Sequence, residues 1–180
     1  MNDNGASTIS AEPRRASGRL VKPAPVILID SREQTPLAIE GFPVERVTLP
    51  VGDYGLAGFS DWNNPQFIVE RKSLDDLVSS LTHGRERFLR EVEALRRFRF
   101  AALLIEAERA EVEMGAYRSA ASPVSILASL DCLEVRAGVH VLWAGEATGA
   151  ARRLEGLVRQ FARGVEKDWR RLCRGFEQRE

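Results

Sequence analysis

Three acidic residues lie at or near the ends of short apolar runs in the first half of the chain. Asp30 ends the run PVILID, Asp53 lies in the segment GDYGLAG, and Glu70 ends QFIVE. Short apolar runs of this kind predict buried strands. If these strands are neighbours, we expect the three carboxylates to converge. Their mutual repulsion would be unfavourable unless a cation offset it.

Such a group of carboxylates predicts a site for a hard divalent metal ion. Oxygen ligands at a partly open site favour Mg²⁺ or Mn²⁺. Lys72 follows Glu70 by two residues, and side chains alternate along a strand, so both point to the same face. An ammonium group there could position water and stabilise charge on a phosphate. The combination is typical of metal-assisted phosphodiester hydrolysis, although an acid-x-Lys triplet is also a common surface ion pair.

The apolar pattern around these residues indicates a central mixed β-sheet flanked by helices. Ser73 is a suitable N-cap for the first helix, with Asp76 at its N3 position. Further helices are predicted over about 85–98, from Ser122-Pro123 to 133, and over about 147–172. Strands are predicted over 25–30, 44–49, 52–58, 66–70, 100–107 and 139–144. We expect one α/β domain over 25–173, a disordered tail over 1–24, and a C-terminal tail over 174–180.

Charge is distributed unevenly, although the formal net charge is zero. Residues 26–81 carry nine acids and four bases, whereas residues 82–100 carry three acids and six bases. An acidic pocket beside a basic face that binds nucleic acid would give this pattern. Helices that are rich in arginine only for solubility would give it as well.

The composition gives no sign of a membrane or secreted protein. No apolar run approaches the roughly 20 residues that span a bilayer, and the N-terminus has no apolar signal-peptide core. Cys132 and Cys173 are the two cysteines, too few for a disulfide framework. We therefore expect free thiols in an intracellular protein, in the cytoplasm or nucleoid of a bacterium or the nucleus of a eukaryote.

Taken together, the motifs resemble those of the XPF family of structure-specific DNA endonucleases. The family motif GDx(n)ERKxxxD occurs here as Gly52-Asp53 followed by the segment ERKSLDD from Glu70 to Asp76. The family's upstream V-D-x-R-E element reads IDSRE from Ile29 to Glu33, with isoleucine in place of valine. Similarity continues through SLTHGRERF and FAALLIE and covers about residues 26–170.

This resemblance implies a restriction-endonuclease-like fold, DNA as substrate, and Mg²⁺ or Mn²⁺ as cofactor. Position by position, it assigns metal binding to Asp30, Asp53 and Glu70, catalysis to Lys72, and supporting roles to Arg32, Glu33, Arg71 and Asp76. The residues themselves leave alternatives open. Asp76 is also a suitable N3 acid for its helix, and Arg71 could pair with an acid on the other face of its strand.

Arg32, within the upstream motif, is also a candidate for contact with DNA, and other candidates lie outside both motifs. Arg85 and Arg87, near the start of the second helix, could bind phosphates, or could be ordinary solvated charges. Trp62 could stack on a base or pack within its loop. Glu106 ends an apolar strand, where a capping or surface role is expected rather than metal binding.

The sequence therefore predicts an endonuclease that cuts branched, flapped or otherwise structured DNA in repair or recombination, for example at junctions of single and double strands. The family resemblance implies a homodimer or a heterodimer with a related subunit. Since the sequence ends near its last helix, we expect neither a tandem helix-hairpin-helix module nor a helicase domain. Two alternatives are a non-catalytic DNA-binding subunit, which degraded motif acids would mark, and a restriction-type or mobile-element nuclease with the same core.

Overall fold

A computed structural model describes residues 24–177 of the chain. Its six-stranded sheet has the order β2-β1-β3-β4-β5-β6. The strands are β1 (Ile27–Asp30), β2 (Val44–Val47), β3 (Tyr54–Leu56), β4 (Phe67–Ser73), β5 (Phe100–Glu106) and β6 (His140–Trp143). The helices are α1 (Leu74–Leu81), α2 (Arg85–Leu95), α3 (Arg109–Glu113), α4 (Pro123–Cys132) and α5 (Ala147–Glu177), with a π-helical turn over Leu133–Ala137.

The sheet is mixed, and β4 lies between two different kinds of neighbour. β3 is antiparallel to both β1 and β4, whereas β5 is parallel to β4 and to β6. The long connection over α1 and α2 permits the parallel pairing of β4 with β5. This topology places the start of β3, Tyr54, next to Val69 near the middle of β4.

Helices cover both faces of the sheet. On one face, α1, α2, α3 and α4 contribute buried side chains such as Leu77, Phe88 and Leu130 to a core with Ile68 of β4. On the other face, α5 packs Leu154 and Val158 against a core that includes Val69. Because side chains alternate along β4, its even-numbered residues face α1 and α2, and its odd-numbered residues face α5.

All six strands and the four longer helices were predicted, and their observed bounds differ from the predictions by a few residues. α3 was missed, because five residues are too few to produce a helical period. The last helix continues beyond the predicted end at 172 to Glu177. The tail predicted over 1–24 lies outside the described residues, except for its last position.

The stripe predicted to pack α5 on the sheet includes one residue that the sheet does not cover. Leu154 and Val158 are buried, whereas Val165 is 37% exposed, because the helix has by then passed the edge of the core. Within the described part of the chain, no helix has both the length and the apolar character required to cross a membrane.

Candidate active site

A turn before β3 places Asp53 beside β4. Gly52 has a φ of 74°, which side-chain-bearing residues rarely adopt. A Cβ atom on Gly52 would also lie 2.8 Å from Cγ1 of Ile68. The backbone N–H of Asp53 donates to the carbonyl of Val69 at 3.0 Å. Glycine therefore allows Asp53 to lie against the strand that carries Glu70.

Asp53 and Glu70 lie close together near the junction of β3 and β4. The antiparallel register pairs Tyr54 with Val69, so the preceding Asp53 lies level with Glu70. The backbone N–H of Arg71 donates to Oδ2 of Asp53 at 2.8 Å. Glu70 is only 5% exposed. The two strands thus hold two carboxylates together in a partly desolvated place.

Lys72 lies on the same face of β4 as Glu70. Its Nζ donates to Oε1 of Glu70 at 2.5 Å and lies 3.8 Å from Oε2 of Glu91 on α2. The ammonium group is also 5.8 Å from the centre of the Phe88 ring. Acids on two elements therefore hold the lysine over an aromatic ring.

Burial shifts the proton affinity of both carboxylates. It raises the pKa of Asp53 to about 6, an effect that the hydrogen bond from Arg71 partly opposes. Burial also raises the pKa of Glu70 well above its usual value, and the charge of Asp53 and the carboxyl group of Glu91 add to this. The pKa of Lys72 is raised, since the attraction of Glu70 and Glu91 outweighs the opposing effect of burial. The raised pKa values of Asp53 and Glu70 indicate that an added cation would stabilise the site.

Arg71 faces the other side of the sheet. Its Nε donates to Oε1 of Glu106 at 2.8 Å, and one terminal nitrogen donates to the carbonyl of Thr35 at 2.6 Å. That nitrogen also lies 3.5 Å from Oε2 of Glu33. Arg71 thus ties β4, β5 and the loop after β1 together. The interpretation of Arg71 as an ion-pair partner on the far face agrees with these contacts.

Asp30, the third predicted metal ligand, accepts hydrogen bonds at both of its carboxylate oxygens. It is 1% exposed. Its Oδ1 accepts from the backbone N–H of Arg32 at 2.8 Å and from Nε at 2.6 Å. Its Oδ2 accepts from a terminal nitrogen of Arg32 at 2.9 Å and from the backbone N–H of Leu49 at 2.7 Å. Four donors occupy both oxygens, so Asp30 fixes the loop after β1 and does not face the pocket.

A pocket of about 360 Å³ opens above Glu70 and Lys72. Among the predicted site residues, its lining includes Arg32, Glu33, Asp53, Glu70, Arg71, Lys72, Asp76 and Arg87. Asp76 also takes part in the cap of α1, since its backbone N–H donates to Oγ of the N-cap residue Ser73 at 3.2 Å. The carboxylate of Asp76 accepts from the same hydroxyl at 2.8 Å. Both interpretations of Asp76 are therefore compatible with its position.

The remaining candidates for DNA contact are scattered. A terminal nitrogen of Arg85 points towards the carbonyl of Leu81 and the hydroxyl of Ser129 on α4, at 3.4 and 3.5 Å. Trp62 lies in the loop between β3 and β4 and packs against Phe98 with ring centres 5.5 Å apart. It is not among the residues that line the pocket. Of these three candidates, only Arg87 adjoins the active-site residues.

The predicted metal ligands Asp30, Asp53 and Glu70 do not form a close group of three in the described residues. Among residues 24–177, no three His, Cys, Asp or Glu side chains are grouped closely enough to hold an ion. Asp53 and Glu70 fit Mg²⁺ or Mn²⁺, because both are hard oxygen donors. Burial raises the pKa of each carboxyl group, so a bound cation would stabilise the charged forms. Mg²⁺ is often bound by one or two carboxylates and otherwise by water and phosphate.

Glu91 is a residue of the site that the sequence analysis missed. It lies 3.8 Å from the ammonium group of Lys72. A signal was present in the sequence, since Glu91 lies three residues after Phe88 and next to Val92 on the inward side of α2. An acid on the apolar side of a helix predicts a cationic partner, because an unpaired buried charge is strongly destabilising.

Comparison with known proteins finds a matching family and similar curated proteins. The family described as the ERCC4 domain matches residues 29–156. The DNA repair endonuclease XPF of Cricetulus griseus is 41% identical over 81 residues, which is 42% of this chain and 8% of that protein. The DNA repair endonuclease UVH1 of Arabidopsis thaliana is 39% identical over 109 residues, 56% of this chain and 10% of that protein. The chain thus spans a tenth or less of these curated relatives.

Solved structures match the fold over most of the chain. XPF from Aeropyrum pernix has a TM-score of 0.62 and 25% identity, with 76% of this chain and 61% of that chain covered. A structure of XPF from the same organism in complex with DNA has a TM-score of 0.59 and 23% identity, covering 78% of this chain and 66% of that one. The predicted restriction-endonuclease-like fold, with its mixed sheet flanked by helices, is confirmed.

Proposed function

The chain belongs to the ERCC4 domain family, and on that premise we propose that it is a metal-dependent endonuclease for branched, flapped or otherwise structured DNA. One observation carries the proposal. Asp53, Glu70 and Lys72 lie on the same face of the sheet and line an open pocket. Two carboxylates beside a lysine form a suitable group for hydrolysis of a phosphodiester.

Each side chain has a distinct task in this proposal. Asp53 and Glu70 would hold Mg²⁺ or Mn²⁺, which supplies charge stabilisation at the phosphate and lowers the pKa of a bound water. Lys72 directs its ammonium group at the developing negative charge, and Glu70 and Glu91 fix its position. Arg71 holds Asp53 through its backbone N–H and anchors β4 from behind through Glu106.

A panel of DNA substrates tests the proposal. Flap, fork, four-way junction and linear duplex DNA are incubated with the protein in Mg²⁺, in Mn²⁺ and in EDTA. We expect metal-dependent cleavage of the branched substrates and little cleavage of the linear duplex. Binding without cleavage of any substrate would contradict the proposal and favour a non-catalytic subunit. Equal cleavage of the linear duplex would favour a restriction-type or mobile-element nuclease.

We also propose that the chain works as a homodimer or beside a related subunit. The support is the exposed apolar side of α5 beyond the sheet, which includes Trp169 and Leu172. Apolar groups that point to solvent along a helix are typical of an interface.

A further inference from the structure

A row of arginines follows the outer side of α2. Arg87 and Arg90 are exposed and lie about 60° apart around α2. Arg97, also exposed, lies in the turn two residues after the helix ends. We name Arg87, Arg90 and Arg97 the arginine ridge. In the described part of the chain, neither Arg87 nor Arg90 has an acidic partner within 4 Å. Glu86 and Glu93 lie on the same side of α2 as Arg90 but form no ion pair with either arginine, so both guanidinium groups are available to an external anion.

Trp62 fixes the far end of the ridge. The guanidinium group of Arg97 lies 4.4 Å from the centre of the Trp62 ring. A cation over an indole is held by the ring's electron density and loses some of its freedom. Since Arg97 and Phe98 already contact the ring, Trp62 is poorly placed to stack on a base. Arg97 is itself exposed, so its guanidinium group remains accessible from solvent.

The near end of the ridge reaches the active site. Arg87 lines the pocket that contains Glu70 and Lys72. From Arg87 to its last residue, Leu95, α2 runs about 12 Å at 1.5 Å per residue, and Arg97 lies just beyond that end. Phosphates of one DNA strand advance about 3.4 Å along the helix axis per base pair. The ridge therefore spans about four base pairs, starting at the pocket.

We propose that the arginine ridge binds the phosphate backbone of duplex DNA on one side of the cleaved bond. This inference rests on the proposed function. It adds the side of the cleaved bond on which the duplex is bound and the number of base pairs that are contacted. The ridge consists of exposed guanidinium groups, which suit phosphate oxygens, and we assign it to the backbone rather than to base edges. The ridge would hold about four base pairs of the product duplex, counted from the cut.

Arg96 provides a matched control. It is exposed and adjacent to Arg97, but its guanidinium group pairs with Glu93 at 3.2 Å on a different side of the helix. Arg90→Ala, Arg97→Ala and Arg96→Ala therefore remove the same charge from neighbouring positions. Only the first two remove it from the ridge.

Binding to a short linear duplex is measured in EDTA over a series of salt concentrations. Each lost phosphate contact reduces the slope of log K against log salt by about 0.9, and weakens binding about eightfold at 0.1 M salt. We expect this from Arg90→Ala and from Arg97→Ala, but little change from Arg96→Ala. Trp62→Ala should weaken binding less than Arg97→Ala, since it loosens the guanidinium group without removing it. Trp62→Phe should restore part of that loss.

Hydroxyl-radical footprinting then locates the contact. We expect protection of about four base pairs on one side of the cleavage position, shortened at its far end by Arg97→Ala. Equal effects of all three arginine variants, or an unchanged footprint, would overturn the inference. If the ridge instead binds an acidic peptide, DNA affinity will not distinguish Arg90→Ala from Arg96→Ala.

The binding measurement separates this inference from the proposed function. Ridge-dependent binding in a protein that never cleaves DNA would leave the inference intact and remove the enzyme assignment. If the wild-type protein cleaves DNA, and Arg90→Ala and Arg97→Ala bind the duplex as well as the wild type does, the enzyme assignment stands and the ridge inference is wrong. Thermal unfolding of each variant guards against loss of folded protein.

Discussion

At the scale of single residues, burial makes the charged forms of Glu70 and Asp53 unfavourable, so substitutions at these two positions test the proposed metal site directly. Glu70→Gln and Asp53→Asn preserve shape and remove a negative charge from the proposed metal site. We expect cleavage to fall by two orders of magnitude or more, since loss of one group in an electrostatic site costs about 3–4 kcal/mol. Binding to DNA should persist or tighten, because an acid no longer repels the phosphate. Single-turnover cleavage and a parallel binding titration measure the two effects.

One outcome for Glu70→Gln would contradict the proposed site. Undiminished cleavage by this variant would remove Glu70 from the active site. Glu93→Gln, on the exposed side of α2, is a matched acid-to-amide control that should leave cleavage unchanged.

Lys72 should matter through its shape as well as its charge. Lys72→Arg replaces a compact ammonium group with a planar fork, which cannot occupy the same position between Glu70 and Glu91. We expect severe loss of cleavage with near-normal thermal stability, measured by single-turnover assays and calorimetry. A wild-type rate for this variant would leave Lys72 as a plain ion-pair partner.

At the scale of elements, Asp30 determines how the loop after β1 is held. Its pKa is lowered mainly by the hydrogen bond from Arg32, so the native protein prefers the charged form. Asp30→Asn replaces one acceptor with a donor that faces other donors. We expect a loss of about 1–3 kcal/mol in the free energy of unfolding at neutral pH.

The pH dependence of this loss has a definite sign. A group whose pKa is lower in the native state stabilises the fold above its unfolded pKa, and this contribution is lost as pH falls through its folded pKa. The gap between wild type and Asp30→Asn should therefore be constant near neutrality and shrink below the ordinary aspartate pKa of about 4. Urea unfolding over a pH series measures this. A gap that stays unchanged down to strongly acidic pH would contradict the assigned role.

The sequence predicted the elements better than the contacts between them. Strand alternation was sufficient to place Glu70 and Lys72 on the same face of β4. Nothing in the local pattern revealed that Leu49 and Arg32 would supply four donors to Asp30. The pairing of Arg71 with Glu106 likewise depends on the register of β4 against β5, which brings together residues 35 positions apart.

At the scale of the whole molecule, α5 extends beyond the sheet that it covers. Trp169 is 63% exposed and lies on the same side of the helix as Val165 and Leu172. We expect a homodimer of moderate affinity through this surface, since one helix face buries a limited area. Trp169→Ala should weaken it by removing a large apolar group, whereas Arg171→Ala, an exposed neighbour, should have little effect.

Sedimentation over a micromolar range of concentrations measures this association. The wild-type mass should rise with concentration, and that of Trp169→Ala should rise less. A monomer mass at every concentration, in a preparation that still cleaves DNA, would identify the monomer as the working unit.

The position of β4 between an antiparallel and a parallel neighbour has a consequence for the order of folding. The pairing of β3 with β4 joins nearby segments and can form early, whereas the pairing of β4 with β5 requires closure of a loop that contains α1 and α2. As the chain leaves the ribosome, we expect Asp53 and Glu70 to be brought together before α1 and α2 cover that face of the sheet. During synthesis, the two acids would remain hydrated, and their burial would be deferred to a late step.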